Sequence, residues 1–330
     1  MDITNHRQDD RSLGKYDSHD IPSVLRFLCI TLIVANHFDF YDYGGGGSLF
    51  LLILIGYNIA KFKLPKTVKE DSSKNLLNML SKVVIPAFII TLALNFLKGP
   101  FEVDSVLFIS NFSTSHHPNG FSYWFIEIYI QIVLALSLIF GSNRIRQYYC
   151  VNKEKFSIIF LILSFFIYLL SSTLFDYSAY YQRIPWLMMT FIAIGFASYH
   201  SNGIVNRLVV LLLSTLFFYA FGRFSGINLF VLMTTAALIF YPKKLSLNHK
   251  FMVPINLISG ASLYIYLTHF QFKTICEKIG IENIGVISII SIVAGVIFGY
   301  FYEKLIHEKL LRALKKGYEN TFQKVLIKTN

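Results

Sequence analysis

The chain has 330 residues, of which 54% are hydrophobic and 15% are charged, and its formal net charge is +11. Long apolar runs with so little charge exclude a soluble globular domain of this size and indicate a polytopic helical membrane protein. The positive charge does not indicate nucleic-acid binding, because the basic residues fall in short segments between the apolar runs. The three cysteines lie in separate segments without metal-ligand spacing, which predicts unpaired thiols and no metal site.

The first apolar run, residues 22–40, contains two ionisable residues, Arg26 and His37. Their separation returns to the same face of an α-helix and places them roughly 16 Å apart along its axis. Ionisable residues are costly in lipid, so the shared face predicts that both point into a protein interior or a wet cavity and take part in function. The alternative is that Arg26 extends to the lipid headgroups and His37 lies at the opposite membrane surface.

Ten apolar runs along the chain predict about ten transmembrane helices, although several are shorter than a straight crossing needs. We expect an all-α polytopic fold in which a transmembrane unit, residues 22–303, lies between a polar tail, 1–21, and an amphipathic tail, 304–330. The predicted spans are 22–40, 45–62, 76–97, 121–140, 156–174, 185–199, 207–222, 226–241, 254–275 and 283–303.

The distribution of lysine and arginine predicts the orientation of these spans. With the N-terminus inside, and with residues at the ends of spans counted with the adjoining segments, 23 of the 30 basic residues fall in inner segments and five in outer loops; the other two, Arg26 and Lys82, lie deeper within spans. Such a bias favours a cytoplasmic location for both termini and both tails. Arg26 is then near the cytoplasmic end of the first helix, and His37 is in the outer half of the membrane.

This polarity is typical of an enzyme whose two substrates reach it from opposite sides of the membrane. A cation at the cytoplasmic end suits a donor that carries phosphate groups. A histidine in the outer half could act as the general base that deprotonates an acceptor hydroxyl group. The first helix therefore predicts donor binding at Arg26 and catalysis at His37.

Five short elements, in chain order, resemble those of the acyltransferase family 3 of integral membrane proteins. They are the Arg26–x10–His37 pair, the Gly44–Gly47 turn with the apolar helix that follows to Gly56-Tyr57, the sequence Ser122-Tyr123-Trp124-Phe125, the sequence from Ser259 to His269 that includes Tyr264 and Tyr266, and Glu303. The resemblance implies transfer of an acyl group, commonly acetyl from acetyl-CoA, to a hydroxyl group of a surface or exported polysaccharide. It implies acetyl-CoA or another acyl-CoA as co-substrate, with no bound cofactor.

The chain departs from the family pattern at two positions that bear on the site. Ile55 stands where the family has a serine, which removes a hydroxyl group. Lys82 stands before Pro86 in a helix where the family often has two arginines. Lysine cannot reproduce bidentate contacts with phosphate, so Lys82 is either a single donor-phosphate contact or a charge that extends to the cytoplasm.

Further polar and aromatic residues in the spans are candidates for the same site. Glu127 follows Trp124 by three residues and could orient His37, hold an acceptor hydroxyl, or pair with another buried polar group. His269 is predicted in the outer half, as a second catalytic or acceptor-positioning residue or as a buried hydrogen-bonding group. The aromatic residues Trp124 and Tyr264 are predicted to bind the acceptor.

Two hypotheses from different classes remain at this point. The first is the acyltransferase, and the second is a transporter or flippase for a glycan or lipid-linked precursor, in which the same polar groups would line a pathway. No internal repeat of the kind common in transporters is visible, which favours the enzyme. The expected partners are acyl-CoA, a glycan acceptor and the lipid bilayer, without nucleic acid, and with further copies of the chain or glycan-assembly proteins left open.

The resemblance also implies a location, the bacterial cytoplasmic (inner) membrane, which the chain would cross many times. The sequence leaves open which glycan and which hydroxyl group are modified, and whether the acyl group is acetyl or larger. It does not distinguish direct transfer from a covalent intermediate.

Overall fold

The computed structural model describes residues 16–38, 46–70, 72–98, 101–112, 123–174, 184–221, 226–241, 244–307 and 309. These residues are almost entirely helical, as the sequence predicts. The helices are α1 Ile21–His37, α2 Gly46–Asn58, α3 Leu64–Lys69, α4 Lys74–Lys98, α5 Val103–Val106, α6 Trp124–Ile139, α7 Asn143–Val151, α8 Lys153–Leu174, α9 Pro185–His200, α10 Gly203–Ala220, α11 Gly226–Phe240, α12 His249–Gly260, α13 Ser262–Lys278 and α14 Ile284–Tyr302.

Five helical segments within the described residues are long and apolar enough to cross a membrane, and two bent helix pairs raise the number to seven. The chain is therefore a polytopic helical membrane protein, but these segments do not amount to the ten predicted spans. The five are Gly46–Lys69, Lys74–Leu97, Lys153–Leu174, Gly203–Ala220 and Ile284–Leu305. The side on which the termini lie stays a prediction, because residues 1–15 and 310–330, which include most of both predicted tails, are outside the described residues.

Both bent pairs depart from straight spans. Helices α12 and α13 meet at 74°, so the predicted single span 254–275 is broken at Ala261. Helices α6 and α7 meet at 89°. There the Arg146 guanidinium donates hydrogen bonds of 2.7 Å to the carbonyl oxygens of both Phe140 and Gly141. Arg146 thus satisfies carbonyl groups that the end of α6 would otherwise leave without partners.

A two-stranded antiparallel sheet, which the sequence pattern did not predict, joins the segments that precede α1 and α12. Strand β1, Tyr16–Asp20, pairs with β2, Lys244–Asn248. The pairing brings two distant segments of the chain to the same end of the bundle. The predicted topology also places both segments on one side of the membrane.

Helix α2 lies at the centre of the bundle. In the most apolar stretch of Gly46–Lys69, 67% of the residues are buried, against 22% in each of the other four membrane-length segments. It packs against α1 on one side and α9 on another. A Cβ atom at Gly56 would lie 1.9 Å from the Ile192 carbonyl oxygen, and one at Gly195 would lie 1.8 Å from the Ile53 carbonyl oxygen. Close approach of the α2 and α9 backbones therefore requires glycine at both positions.

Candidate active site

The side chains of His37, at the end of α1, and His269, in the middle of α13, are in direct contact. The two helices pack side by side, and His37 Nδ1 lies 2.7 Å from His269 Nε2. The ring planes differ by only 14°, and the ring centroids are 5.0 Å apart. With the two nitrogens only 2.7 Å apart, the ring centroids can be 5.0 Å apart only if the rings meet edge to edge. The two nitrogens therefore point at each other in the ring planes. The two histidines predicted for the outer half of the membrane therefore form one hydrogen-bonded pair.

The surroundings of His269 fix the positions of the ring hydrogens. His269 is 1% exposed, and its Nδ1 lies 2.7 Å from the Tyr266 carbonyl oxygen and 3.1 Å from that of Ile265. A carbonyl oxygen can only accept, so Nδ1 of His269 must carry hydrogen. In a neutral ring, His269 Nε2 then accepts a hydrogen bond from His37 Nδ1. The second nitrogen of His37, Nε2, is left with a free lone pair, as a general base requires.

Two further α13 residues complete the surroundings of His37, and the sequence analysis assigned neither to the site. Phe270 stacks on His37, with ring centroids 5.0 Å apart and planes 22° apart. Lys273 is close enough for its charge to act on both His37 and His269, and its Nζ lies 5.2 Å from the centroid of the Phe38 ring. Lys273 follows His269 by four residues, so helical periodicity could have placed it on the same face.

At the other end of α1, Arg26 lines a pocket of about 250 Å³ between α1, α2, α4, α6 and α13. The walls are mostly apolar, and the polar groups other than Arg26 come from Asn58, Tyr129, Ser262 and Tyr266. Apolar wall residues are Leu51, Leu54, Ile55, Met79, Val83, Phe125, Ile126 and Leu263. Ile55, which stands where the resembling family has a serine, is thus part of an apolar wall.

The guanidinium of Arg26 has no acidic partner among the described residues. It lies close enough to Cys29 and Tyr129 for electrostatic interaction, but it forms neither a hydrogen bond nor an ion pair within the described parts of the chain. Arg26 is half-buried, and a cation there without an acidic partner among the described residues is costly unless a ligand supplies the opposite charge. The pocket is therefore suited to a ligand that combines an anionic group with an extended, less polar portion.

Tyr266 connects the Arg26 pocket with the histidine pair. Its side chain lines the pocket, its backbone carbonyl accepts the hydrogen bond from His269, and its ring centroid is 5.9 Å from that of His269. The two parts of the candidate site are thus separated by about one side chain. His37 and His269 do not themselves line this pocket.

Lys82 lies near the pocket without lining it. The side chain is exposed, whereas Met79 and Val83 of the same helix, α4, form part of the pocket wall. Lys82 is close enough to Lys63 for their charges to repel. The predicted contact between Lys82 and a donor phosphate stays a prediction, at the rim of the pocket rather than inside it.

The buried carboxylate of Glu127 holds the segment that follows α4. Glu127 is 2% exposed and accepts hydrogen bonds from the Ser110 hydroxyl at 2.5 Å and from the Asn111 backbone N–H at 3.2 Å. One turn later, the Gln131 amide donates to the Phe108 carbonyl oxygen at 2.9 Å. Phe108 has φ of 57°, a conformation that is unfavourable for a bulky residue. This geometry matches the alternative in which Glu127 pairs with buried polar groups.

The ring contact of Trp124 and the side-chain hydrogen bond of Tyr264 are made with residues other than His37 and His269 within the described residues. Trp124 is half-buried and meets the Phe125 ring edge to face, at 6.0 Å between centroids. Tyr264 donates a 2.5 Å hydrogen bond to the Glu303 carboxylate, which joins α13 to the end of α14. Neither residue lines the Arg26 pocket, so acceptor binding by either one stays a prediction.

No group of three or more His, Cys, Asp and Glu side chains that could hold a metal ion occurs in the described parts of the chain. The adjacent His116 and His117 lie outside those parts.

Comparison with protein-family models, with curated proteins and with solved structures gives no match for this chain. The resemblance to acyltransferase family 3 therefore rests on the quoted sequence elements alone. The geometry described above is independent of that resemblance, since it follows from the positions of Arg26, His37 and His269 in the fold.

Proposed function

We propose that this protein is a membrane O-acyltransferase that moves an acyl group, most simply acetyl, from acyl-CoA to a hydroxyl group of a glycan. The observation that carries the proposal is the hydrogen-bonded pair of His37 and His269, which leaves a free lone pair on His37 Nε2. A base held in one tautomer by a buried partner is the arrangement that proton abstraction from a hydroxyl group requires.

The proposed reaction is a direct transfer. His37 Nε2 takes the proton of the acceptor hydroxyl group while its oxygen attacks the thioester carbonyl carbon. The tetrahedral intermediate then collapses and the carbon–sulfur bond breaks. The leaving CoA thiolate takes the proton from His37 Nε2, which gives free CoA and restores the neutral base. The hydrogen bond from His37 Nδ1 to His269 is retained throughout, so the imidazolium that forms keeps its orientation.

In the same proposal, the Arg26 pocket binds the acyl-CoA donor. Arg26 and His37 are both on the continuous helix α1, roughly 16 Å apart along its axis. An extended donor could place an anionic group at Arg26 and its thioester near His37, provided that it passes Tyr266. The apolar wall of the pocket suits the less polar arm of such a donor.

The proposed orientation puts the Arg26 end at the cytoplasm and His37 on the outer side of a bacterial inner membrane. Acyl-CoA is polyanionic and cannot cross the hydrocarbon layer, so it would enter from the cytoplasm. The glycan would meet His37 from the outside, during or after its export. The lysine and arginine distribution supports this orientation.

A vesicle assay tests the chemistry and the orientation together. Inside-out vesicles that contain the purified protein and enclose an exported polysaccharide should form labelled acetyl ester when radiolabelled acetyl-CoA is added to the medium. Right-side-out vesicles, with the polysaccharide and acetyl-CoA both outside, should form none. Movement of the polysaccharide across the membrane without ester formation would favour the transporter hypothesis and contradict the proposed enzyme.

A further inference from the structure

Lys273 is the charged residue of α13 that lies closest in sequence to the histidine pair, and its side chain is folded towards that pair. Its Nζ lies over the ring of Phe38, the residue that follows His37, instead of extending away from the bundle. The Phe38 ring centroid is in turn 5.9 Å from that of His269, so the Lys273 ammonium group lies next to the histidine pair. The side chain is 28% exposed, so a ligand in solution can reach it.

The charge of Lys273 is only weakly compensated by the described residues around it. Glu277, one turn further along α13, has its carboxylate 4.0 Å from Nζ and is 52% exposed. An exposed pair at that distance contributes little, so a better-placed anion could displace Glu277. Lys273 is therefore available for a second partner.

A cation beside His37 works against the proposed reaction unless an anion lies near both groups. When His37 takes a proton it becomes a second positive charge, and the two cations then repel each other. A negative charge on the acceptor, held by Lys273, would offset that repulsion throughout the transfer.

We propose that Lys273 binds a negatively charged group on the acceptor, so that the preferred substrate is an acidic glycan with a carboxylate or phosphate close to the hydroxyl group that is acylated. This inference rests on the proposed function, since it names the substrate class of the same site. It assigns Lys273 to acceptor specificity, while His37 remains the base. The single lysine recognises charge, not one particular sugar, because an ammonium group offers three rotatable donors and no fixed geometry.

Three sugars that differ only at carbon 6 test the proposal: methyl glucoside, methyl glucuronide and methyl glucoside 6-phosphate. Binding to the intact protein in lipid nanodiscs is measured by saturation-transfer NMR, because both acidic sugars lack the free 6-hydroxyl group and could bind without being acylated there. We expect the wild-type protein to bind at least one acidic sugar about tenfold more tightly than the neutral one. The preference should shrink as salt is added.

Variants at two nearby lysines assign that preference to one side chain. Lys273→Gln should abolish it, whereas Lys273→Arg, which keeps the charge, should retain most of it. Lys278→Gln is the matched control, since Lys278 is an exposed lysine at the end of the same helix. If Lys273→Gln does not fold, two results still test the proposal: the preference of the wild-type protein for an acidic sugar must shrink as salt is added, and Lys273→Arg must retain most of that preference.

The two acidic probes distinguish the sources of negative charge. Tighter binding of the glucuronide than of the phosphate ester indicates a glycan with a carboxylate, and the reverse order indicates a phosphorylated glycan. Equal binding of all three sugars by the wild-type protein, or a preference that survives in Lys273→Gln, would overturn the proposal. Weaker binding of all three sugars by the same factor in Lys273→Gln would also overturn it. A charge preference that depends on Lys273 in a protein without acyl transfer would support the acidic-sugar site and contradict the acyltransferase function.

Discussion

The two ends of helix α1 differ in how their ionisable side chains are satisfied. At the C-terminal end, His37 is hydrogen-bonded to His269, which in turn donates to the Tyr266 carbonyl group. At the other end, Arg26 has no hydrogen bond or ion pair among the described residues and lines a pocket. Within the described residues, the protein thus supplies a hydrogen-bond partner to the ionisable side chain at one end of α1 and none to that at the other.

This difference matches what a base and a binding site each require. A general base must already be in the correct tautomer and orientation when the substrate arrives, so its partner has to come from the protein. A cation that binds a charged ligand must lack a competing carboxylate, because an internal ion pair would have to be broken first. Substitutions at the two ends should therefore affect different kinetic parameters.

The largest effect is expected at His37. His37→Ala removes the proposed base, and we expect turnover to fall by about 10²- to 10⁴-fold while the affinity for acyl-CoA stays close to that of the wild type. Thr31→Ala is the control on the same helix, because the Thr31 hydroxyl group donates to the Phe27 carbonyl oxygen within α1. Steady-state acetyl transfer and acyl-CoA binding measure the two quantities. Near-normal turnover in His37→Ala would remove this residue from the mechanism.

A smaller loss is expected at His269, which acts through His37. His269→Phe keeps a ring but leaves His37 Nδ1 without its acceptor, and the loss of this hydrogen bond should lower turnover by about ten- to a hundredfold. His269→Gln offers a carbonyl oxygen to the same donor and should recover part of the loss. Equal turnover in the two variants, at equal thermal stability, would show that His269 only fills space.

The sequence predicted the elements of this pair but not their contact. Arg26 and His37 could be placed on one face because helical periodicity is a local property, and α1 is indeed continuous between them. His37 and His269 are 232 residues apart, and the register between α1 and α13 depends on how the whole bundle packs. The bend at Ala261, which sets the direction of α13, also could not be read from the apolar run 254–275.

A polar residue in an apolar helix shows that a partner is needed, but it does not identify that partner. Glu127 was a candidate for orienting His37, and the bonds that its carboxylate accepts from Ser110 and Asn111 could not be foreseen; its role toward His37 stays a prediction. Those two residues lie in a segment with little periodicity, so their positions depend on loop conformation and could not be predicted from spacing. Tyr264 is similar, since its hydroxyl group bonds Glu303 of a neighbouring helix segment.

The next effect concerns Arg26 and should appear in binding. Arg26→Ala should raise the KM for acyl-CoA by about tenfold or more, because charged hydrogen bonds are stronger than neutral ones, and should leave turnover at saturating donor nearly unchanged. Arg26→Lys should recover only part of the affinity if the contact uses two guanidinium donors. An unchanged KM in Arg26→Ala would break the proposed division between the two ends of α1.

The smallest effect is expected from a substitution that disturbs the Arg26 pocket at one end of α1 and leaves the histidine pair at the other end in place. Helix α2 supplies Leu51, Leu54, Ile55 and Asn58 to the pocket wall, and it is held close to α9 at Gly56. Gly56→Ala would place a methyl group 1.9 Å from the Ile192 carbonyl oxygen, so α2 and α9 must move apart.

We expect Gly56→Ala to lower the free energy of unfolding by about 1–3 kcal/mol, a typical cost of overpacking. The shifted wall should raise the KM for acyl-CoA a few-fold, and turnover at saturating donor should stay close to that of the wild type because His37 and His269 are on α1 and α13. Gly260→Ala is the matched control, since its added Cβ meets nothing within 4 Å. Thermal unfolding and donor titration measure both effects. A loss of turnover equal to the rise in KM would show that α2 also positions the histidine pair, and the two ends of α1 would then be coupled through the packing of α2.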